Sequence, residues 1–335
     1  MNILFIIGNG FDMNLGMKTQ YSDFYPEYIK SKNDNDVIMG LKERIKDNYE
    51  SWSCLETAIG QDTRNLSSKD EVDIITEDIK RVLADYLKKE FERFDFNHYD
   101  RNKLCEYLSY PEKYLETGSF EDIRDFRSNR HTEEWITNIV TFNYTYSLDK
   151  LLENIPNNIL GNNRSNRPIT LKKIIHIHGY LDKDMVLGVN DIKQIENNAF
   201  HDDIDVVEEL LKPECNKAIN HKFDRDFKNL INKAEIICIY GSSIGQTDKI
   251  WWELIGERLK ENIRVIIFTR ADEKVLVNQN LSNRNRRKGT AFTNRLLAFS
   301  NLTEEEKIDA KSKIFVGVGR NIFNNILKTK TGEKK

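Results

Sequence analysis

Cysteine is scarce and scattered in this chain of 335 residues: Cys54, Cys105, Cys215 and Cys238 include no CxxC pair. That spacing excludes a zinc ribbon and a disulfide framework, and it fits a reducing compartment. A basic surplus is also missing, since the formal net charge is −3 and the pI about 6.2. Proteins that grip a phosphate backbone usually carry a clear positive excess, so a general nucleic-acid grip is not expected. No apolar run reaches membrane length. The opening stretch Ile3 to Ile7 is far too short to span a bilayer and lacks the basic flank and cleavage site of a signal peptide. A cytoplasmic protein without membrane contact is expected. Internal repeats are absent too.

What remains suits a folded enzyme or ligand-binding protein. Hydrophobic residues make up 39% and aromatics 10%, enough for a sizeable core. Charged residues at 31% and a mean hydropathy of −0.62 are polar, yet far from disorder. The length allows one large α/β domain with an insertion, or two modest domains.

Six short apolar runs read as buried strands: Ile3–Ile7, Ile136–Phe142, Lys173–Ile177, Ile236–Tyr240, Val265–Phe268 and Lys313–Val318. Runs rich in Ile and Val without alternation suit a parallel sheet covered on both faces. Helical patterns lie between them, giving an α/β layered fold. The interval from 21 to 130 reads as a helical insertion or cap. Its clearest piece is Glu71 to Phe94, where Val72, Ile75, Ile79, Val82, Leu83, Tyr86, Leu87 and Phe91 form one apolar stripe. The core is then 1–20 plus 131–335, with a smaller helical insert near 200–232. Asn154 to Pro168 reads as a surface loop. Thr303 and Glu306 are spaced as a capping box, and Lys328 to Lys335 as a polar, frayed tail.

Four motifs stand at predicted strand ends, where open α/β sheets bind ligands. Gly8-Asn9-Gly10-Phe11-Asp12 follows the first strand, and its glycines allow a tight turn and close approach to a phosphate. It lacks the third glycine of a dinucleotide fingerprint and any Walker lysine, so a plain strand-to-helix turn is an equal reading. Asn143, with Tyr144 beside it in TFNYT, can hold a ribose or a water, or simply cap a helix. In His176-Ile177-His178-Gly179 the two histidines share one strand face. His178, at the end, suits proton transfer near neutral pH, whereas His176 reads as a satisfied core histidine. With no third ligand at suitable spacing, no metal is expected. Gly241, Ser242 and Ser243, followed by Asp248, make another small-residue cradle before a helix, although Asp248 or Thr247 could cap that helix. Trp251 and Trp252 read as core anchors.

Taken together, GNGFD, NLGMKTQYSDFY, WSCLE, TFNYT, HIHG, LGVND and GSSIGQTD resemble the bacteriophage abortive-infection AbiH family through most of the chain. That family in turn is similar to a distant branch of the sirtuin-like NAD-binding proteins. The resemblance implies a Rossmann-like, mostly parallel sheet with a large helical insertion, and a role in defence against phage. It also implies NAD as substrate or ligand. On it, Asn143 matches the T-x-N asparagine and His178 the x-H-G general base. Gly8 and Gly10 match the outer glycines of a G-A-G loop, with Asn9 in place of alanine and Asp12 where a serine is common. Gly241, Ser242 and Ser243 match a loop on the adenosine side. The zinc-binding cysteine pairs of the deacetylases are missing, which argues against deacetylation.

The leading expectation is therefore an NAD glycohydrolase, with Asn143 and His178 catalytic. Gly8, Asn9, Gly10, Phe11, Asp12, Tyr144, Gly241, Ser242, Ser243 and Asp248 would bind the nucleotide. A second expectation is a non-catalytic module sensing NAD or an ADP-ribose-type signal, prompted by the acidic Asp12 beside a diphosphate. A third is action on nucleic acid through Arg284, Arg286, Arg287 and Lys288, for which a solvated loop is the plainer reading. The expected partners are a small-molecule nucleotide, a phage-derived trigger and copies of the chain itself. Glu56, in WSCLE, is placed only by a guess that it reaches the cleft.

Overall fold

The structure, a computed structural model, describes residues 1–96, 99–219, 222–270, 281–319 and 322–323. Its centre is a seven-stranded sheet: β1 (Asn2–Ile7), β2 (Trp135–Thr141), β3 (Ile159–Asn162), β4 (Pro168–His176), β5 (Ile236–Tyr240), β6 (Arg264–Thr269) and β7 (Ile314–Val318). The spatial order is β3-β4-β2-β1-β5-β6-β7. All pairs are parallel except β3 with β4. Each of the six predicted strands is present.

Alternation along β1 shows why its apolar run is continuous. Ile3, Phe5 and Ile7 enter one core, whereas Leu4 and Ile6 enter another. Both faces are thus buried and neither tolerates a polar residue. Between β1 and β2 come α1 (Gly10–Leu15), α2 (Tyr21–Lys30), α3 (Asp36–Asp47), α4 (Leu55–Asp62), α5 (Lys69–Arg93), α6 (Arg101–Ser109) and α7 (Thr117–Ser128). After β2 comes α8 (Ser147–Leu152). The segment between β4 and β5 holds α9 (Ile204–Leu210), α10 (Lys212–Ala218) and α11 (Phe223–Lys233). Then follow α12 (Lys249–Arg258), α13 (Leu281–Phe299) and α14 (Glu304–Lys311).

Helices α6, α7 and α8 cover one face through Leu104, Leu108, Ile123 and Leu148. The other face is covered by α11, α12 and α13 through Phe227, Ile231, Trp252, Ile255 and Leu296. Helices α2 to α5 build a third core of their own. Tyr144, Leu187 and Val189, from the ends of the sheet, are part of it. The long helix expected at Glu71 begins two residues earlier, because Ser68 accepts a hydrogen bond from the Glu71 amide (3.3 Å) and caps it. The Thr303–Glu306 capping box closes with bonds of 2.8 and 3.2 Å.

Two expectations need correction. The stretch Asn154 to Pro168 is not all loop, since Ile159–Asn162 forms the antiparallel edge strand β3. Only two apolar residues mark it, and Ile159 is exposed, so the strand shows no burial pattern. Its asparagines do form turns: Asn154, Asn157, Asn158 and Asn166 all take positive φ, which asparagine tolerates better than most residues. Arg284, Arg286, Arg287 and Lys288 lie on α13 rather than on a loop, with the three arginines exposed. The tail Lys328 to Lys335 lies outside the described residues. No helix among those described is long and apolar enough to cross a membrane.

Candidate functional site

Strand order reverses between β1 and β5, and the loops following these strands flank the crevice that such a reversal opens. The two loops meet without side chains between them. A Cβ on Gly8 would lie 2.7 Å from the Gly241 oxygen, and one on Gly10 only 2.5 Å from Gly241 Cα. Gly241 itself has φ +70°. The glycines therefore serve the contact between two backbones. The amides of Gly8, Gly10 and Phe11 are already bonded to the carbonyls of Tyr240, Gly241 and Gly8 at 2.9, 2.9 and 3.0 Å. Phe11 turns its ring into the core against Tyr240 and Phe323. Asn9 clasps Thr19, donating to its carbonyl (2.8 Å) and accepting from its hydroxyl (2.5 Å).

Above this junction lies a cleft of about 590 Å³. Gly8, Asn9, Gly10, Tyr144, His178, Gly241, Ser242, Ser243 and Asp248 line it, joined by Cys54 and Glu56 from the WSCLE segment. Most of the residues expected to bind a nucleotide do share one space. The later loop is held rigidly. Ile244 sits at φ +52° while 1% exposed, a conformation that costs a β-branched residue about 1–3 kcal/mol. Trp252, a core anchor as expected, holds the loop by donating its indole N–H to the Gly245 carbonyl (3.0 Å).

The dominant electrostatic feature of the cleft wall was not anticipated. Lys212, 3% exposed, places Nζ 3.0 Å from Glu56 Oε1, 3.2 Å from Asp248 Oδ1 and 3.1 Å from the Thr247 carbonyl. His178 Nε2 lies 3.0 Å from the same Asp248 oxygen and 3.4 Å from Lys212 Nζ. The shorter contact places an Nε2 proton on the line to Asp248. Burial opposes the charge on Lys212, but Asp248 and Glu56 outweigh it and raise the amine above its ordinary value. Burial likewise opposes the Asp248 carboxylate, and Lys212 with His178 reverses this, holding it far below the usual range. Asp248 stands at the start of α12 but makes no capping bond there. Its carboxylate is committed to the cluster. Phe142 stacks on His178 at 5.3 Å between centroids, which fixes the ring plane.

Two other motif segments explain why Lys212 is where it is. WSCLE supplies Glu56. In LGVND, Val189 accepts from the Lys212 amide (2.8 Å), and Asn190 bonds the Thr247 carbonyl. Both segments converge on Lys212, and that convergence is the sequence signal that could have found it. The guess that Glu56 reaches the cleft is right.

Asn143 and Asp12 lie elsewhere. They line a smaller cavity of about 90 Å³ that shares Asn9, Tyr21, Phe142 and Tyr144 with the main cleft. Asp12, 1% exposed, accepts from the Thr145 hydroxyl at 2.5 Å, whereas its other oxygen has no partner among the described residues. Burial pushes its carboxyl up to about 6, and the Thr145 hydroxyl only partly offsets this. The Asn143 amide and the Ser147 hydroxyl also lower the Asp12 carboxyl somewhat, yet neither amide atom of Asn143 makes a full hydrogen bond among the described residues. His176 is a satisfied core histidine, bonded to the Asn143 carbonyl (2.9 Å) and Asp149 (2.8 Å). Tyr144, which donates to the Val186 carbonyl (2.9 Å), stands at the boundary of the two spaces.

Fold and site together define a class: an α/β protein with a mostly parallel sheet, whose strand ends carry a buried charge cluster completed by a helical cap. The sequence profile of the bacteriophage abortive infection AbiH family matches residues 4–269, and the chain belongs to that family. The matched span runs from β1 to the end of β6 and contains Glu56, His178, Lys212 and Asp248. No curated protein is similar enough in sequence to match the chain.

Proposed function

We propose that this protein serves bacteriophage abortive infection by hydrolysing the nicotinamide–ribose bond of NAD or a close relative, in a Rossmann-like, sirtuin-like core. Family membership supports the defence role. One observation carries the chemistry: a histidine at a strand end, oriented by a buried carboxylate 3.0 Å away, opening on a cleft at the point where strand order reverses. The order of the six parallel strands is that of sheets that bind dinucleotides across this crevice.

In this reading the dinucleotide lies across the β1 and β5 loops, with Ser242 and Ser243 on its adenosine side. Asn143, reached past Tyr144 from the adjoining cavity, orients the ribose and the attacking water. The water oxygen bonds the ribose carbon as the carbon–nitrogen bond breaks, and the electron pair leaves with nicotinamide, neutralising its ring. The water's proton passes to His178. The imidazolium so formed is held by the Asp248 carboxylate 3.0 Å away. The test is incubation with NAD, following nicotinamide and ADP-ribose by chromatography. Loss of a general base removes about 10²- to 10⁴-fold, so His178→Ala should lower turnover at least about a hundredfold, and Asn143→Ala should lower it too. Full activity in His178→Ala would refute the assignment.

A second reading, a sensing module, is favoured by a specific observation. Asn143 and His178 line different cavities, and three amides of the first glycine loop are already engaged. Saturable NAD binding by calorimetry with no product over hours would select this reading.

A further inference from the structure

The cluster has a second side. Beyond His178 and Lys212 lies another cavity, of about 410 Å³, between α10, α11 and α12. Its wall is apolar, formed by Ile177, Pro213, Ile250, Trp251 and Leu254, and Ile250 at its mouth is 44% exposed. The volume and lining are those of small-molecule sites. One polar group on the wall is unmatched. Asn216, 3% exposed, donates to Asp224 (2.9 Å), but its Oδ1 is fully buried with no hydrogen-bond partner among the described residues. A buried acceptor left in that state is destabilising, and a ligand donor would relieve it. The charges around the cavity cancel: Lys212, Arg225 and Lys228 against Asp224, Glu253 and Glu257. Nothing there selects for an ionic ligand.

We propose that this cavity is a second ligand site, for a small uncharged molecule with an apolar body and one hydrogen-bond donor directed at Asn216 Oδ1. Its inner end is His178, the residue that also lines the main cleft, so occupancy is felt at the imidazole. The site stands whether or not NAD is turned over.

The probes are 4-ethylphenol and 4-ethylanisole, which differ by methylation of the donor. Each is titrated into the full-length protein labelled at the histidine ring carbons, and the His178 resonance is assigned by its loss in His178→Gln. Both probes should shift that resonance saturably, with the phenol binding about tenfold more tightly, as one net hydrogen bond allows. Asn216→Leu should abolish the preference while keeping the anisole's affinity. Leu254→Trp, at a half-buried position, should fill the cavity and weaken both probes together; it tests the site even if Asn216→Leu fails to fold. No saturable shift with either probe, equal affinities in the wild type, or unchanged binding in Leu254→Trp would each overturn the proposal.

Discussion

Two buried polar groups lie near the carboxyl ends of the strands, and the protein treats them in opposite ways. Around Lys212 each charge has a partner: Glu56, Asp248 and His178 lie within 3.4 Å of its ammonium. Around Asn143, by contrast, three buried atoms lack partners among the described residues, namely its own Nδ2 and Oδ1 and Asp12 Oδ1. The difference follows from where the residues come from. Glu56 belongs to α4, Lys212 to α10, Asp248 to the loop before α12 and His178 to the end of β4. That cluster exists only when the cap and the insert are seated, so the ions must be compensated for the parts to assemble. Asp12, in α1, and Asn143, in the turn after β2, follow strands that are neighbours in the sheet. The cap closes their cavity as well, through Tyr21 of α2 and Leu83 and Leu87 of α5, and its polar atoms suit a ligand or ordered water.

The sharpest way to break this comparison is to remove the ammonium. Lys212→Met leaves two carboxylates buried without their counter-ion, and breaking a buried pair in this way typically costs about 3–5 kcal/mol. Urea unfolding should show a loss of that size. Adding Glu56→Gln to the Lys212→Met chain should recover part of it, because one of the stranded charges is gone, and the cycle should give a coupling above about 1 kcal/mol. A single-variant loss below about 1 kcal/mol would mean that water already reaches the cluster.

On the other side the expected effect is smaller and depends on pH. The Asp12 carboxyl is raised from 3.8 to about 6, so the folded state favours its protonated form. Stability from this group is fully present below about pH 4 and is lost as pH rises through about 6. Asp12→Asn keeps the shape and cannot ionise. It should therefore be more stable than the wild type at pH 7.5 by about 1–3 kcal/mol, from roughly 1.4 kcal/mol per pKa unit. The advantage should shrink at pH 5. Urea midpoints at the two values check this, and a difference that does not change with pH would show that Asp12 is not held in a desolvated site.

Much of this was legible in the sequence. The six parallel strands were: β5 is an uninterrupted apolar run, Ile236–Tyr240, because both its faces are buried, whereas β2, broken by Thr137 and Asn138, and β4, with Lys172 and Lys173 exposed, show only shorter runs. β3 was not, since an edge strand with Ile159 exposed carries no such pattern. At the site, His178, Asp248 and the serines of the second loop were readable from their place after strands. Lys212 was not. A lysine between Leu211 and Pro213 looks like any surface residue, and only the meeting of segments 34 to 156 residues apart makes it buried. The side chains of Asn9 and Phe11 show the converse limit. Motif position brought them to the right loop, but hydrogen bonding to Thr19 and packing on Phe323 decided where they point.

The smallest predicted effect is the most discriminating, because it asks how tightly the Asn143 amide is held. In an ordinary buried site, truncating asparagine to alanine strands its former partners and costs about 1–3 kcal/mol. Here the amide makes no full hydrogen bond among the described residues, and its one favourable contact is a weak one to Asp12. The variant loses packing around a side chain that is 6% exposed, but it also loses two desolvated polar atoms, and these changes oppose each other. Asn143→Ala should therefore unfold within about 1 kcal/mol of the wild type, while still failing in the NAD assay if the proposed reaction is correct. Both arms use one purified variant: a urea titration and a chromatogram. A stability loss above about 2 kcal/mol would place Asn143 in a satisfied network, and the contrast between the two buried groups would disappear.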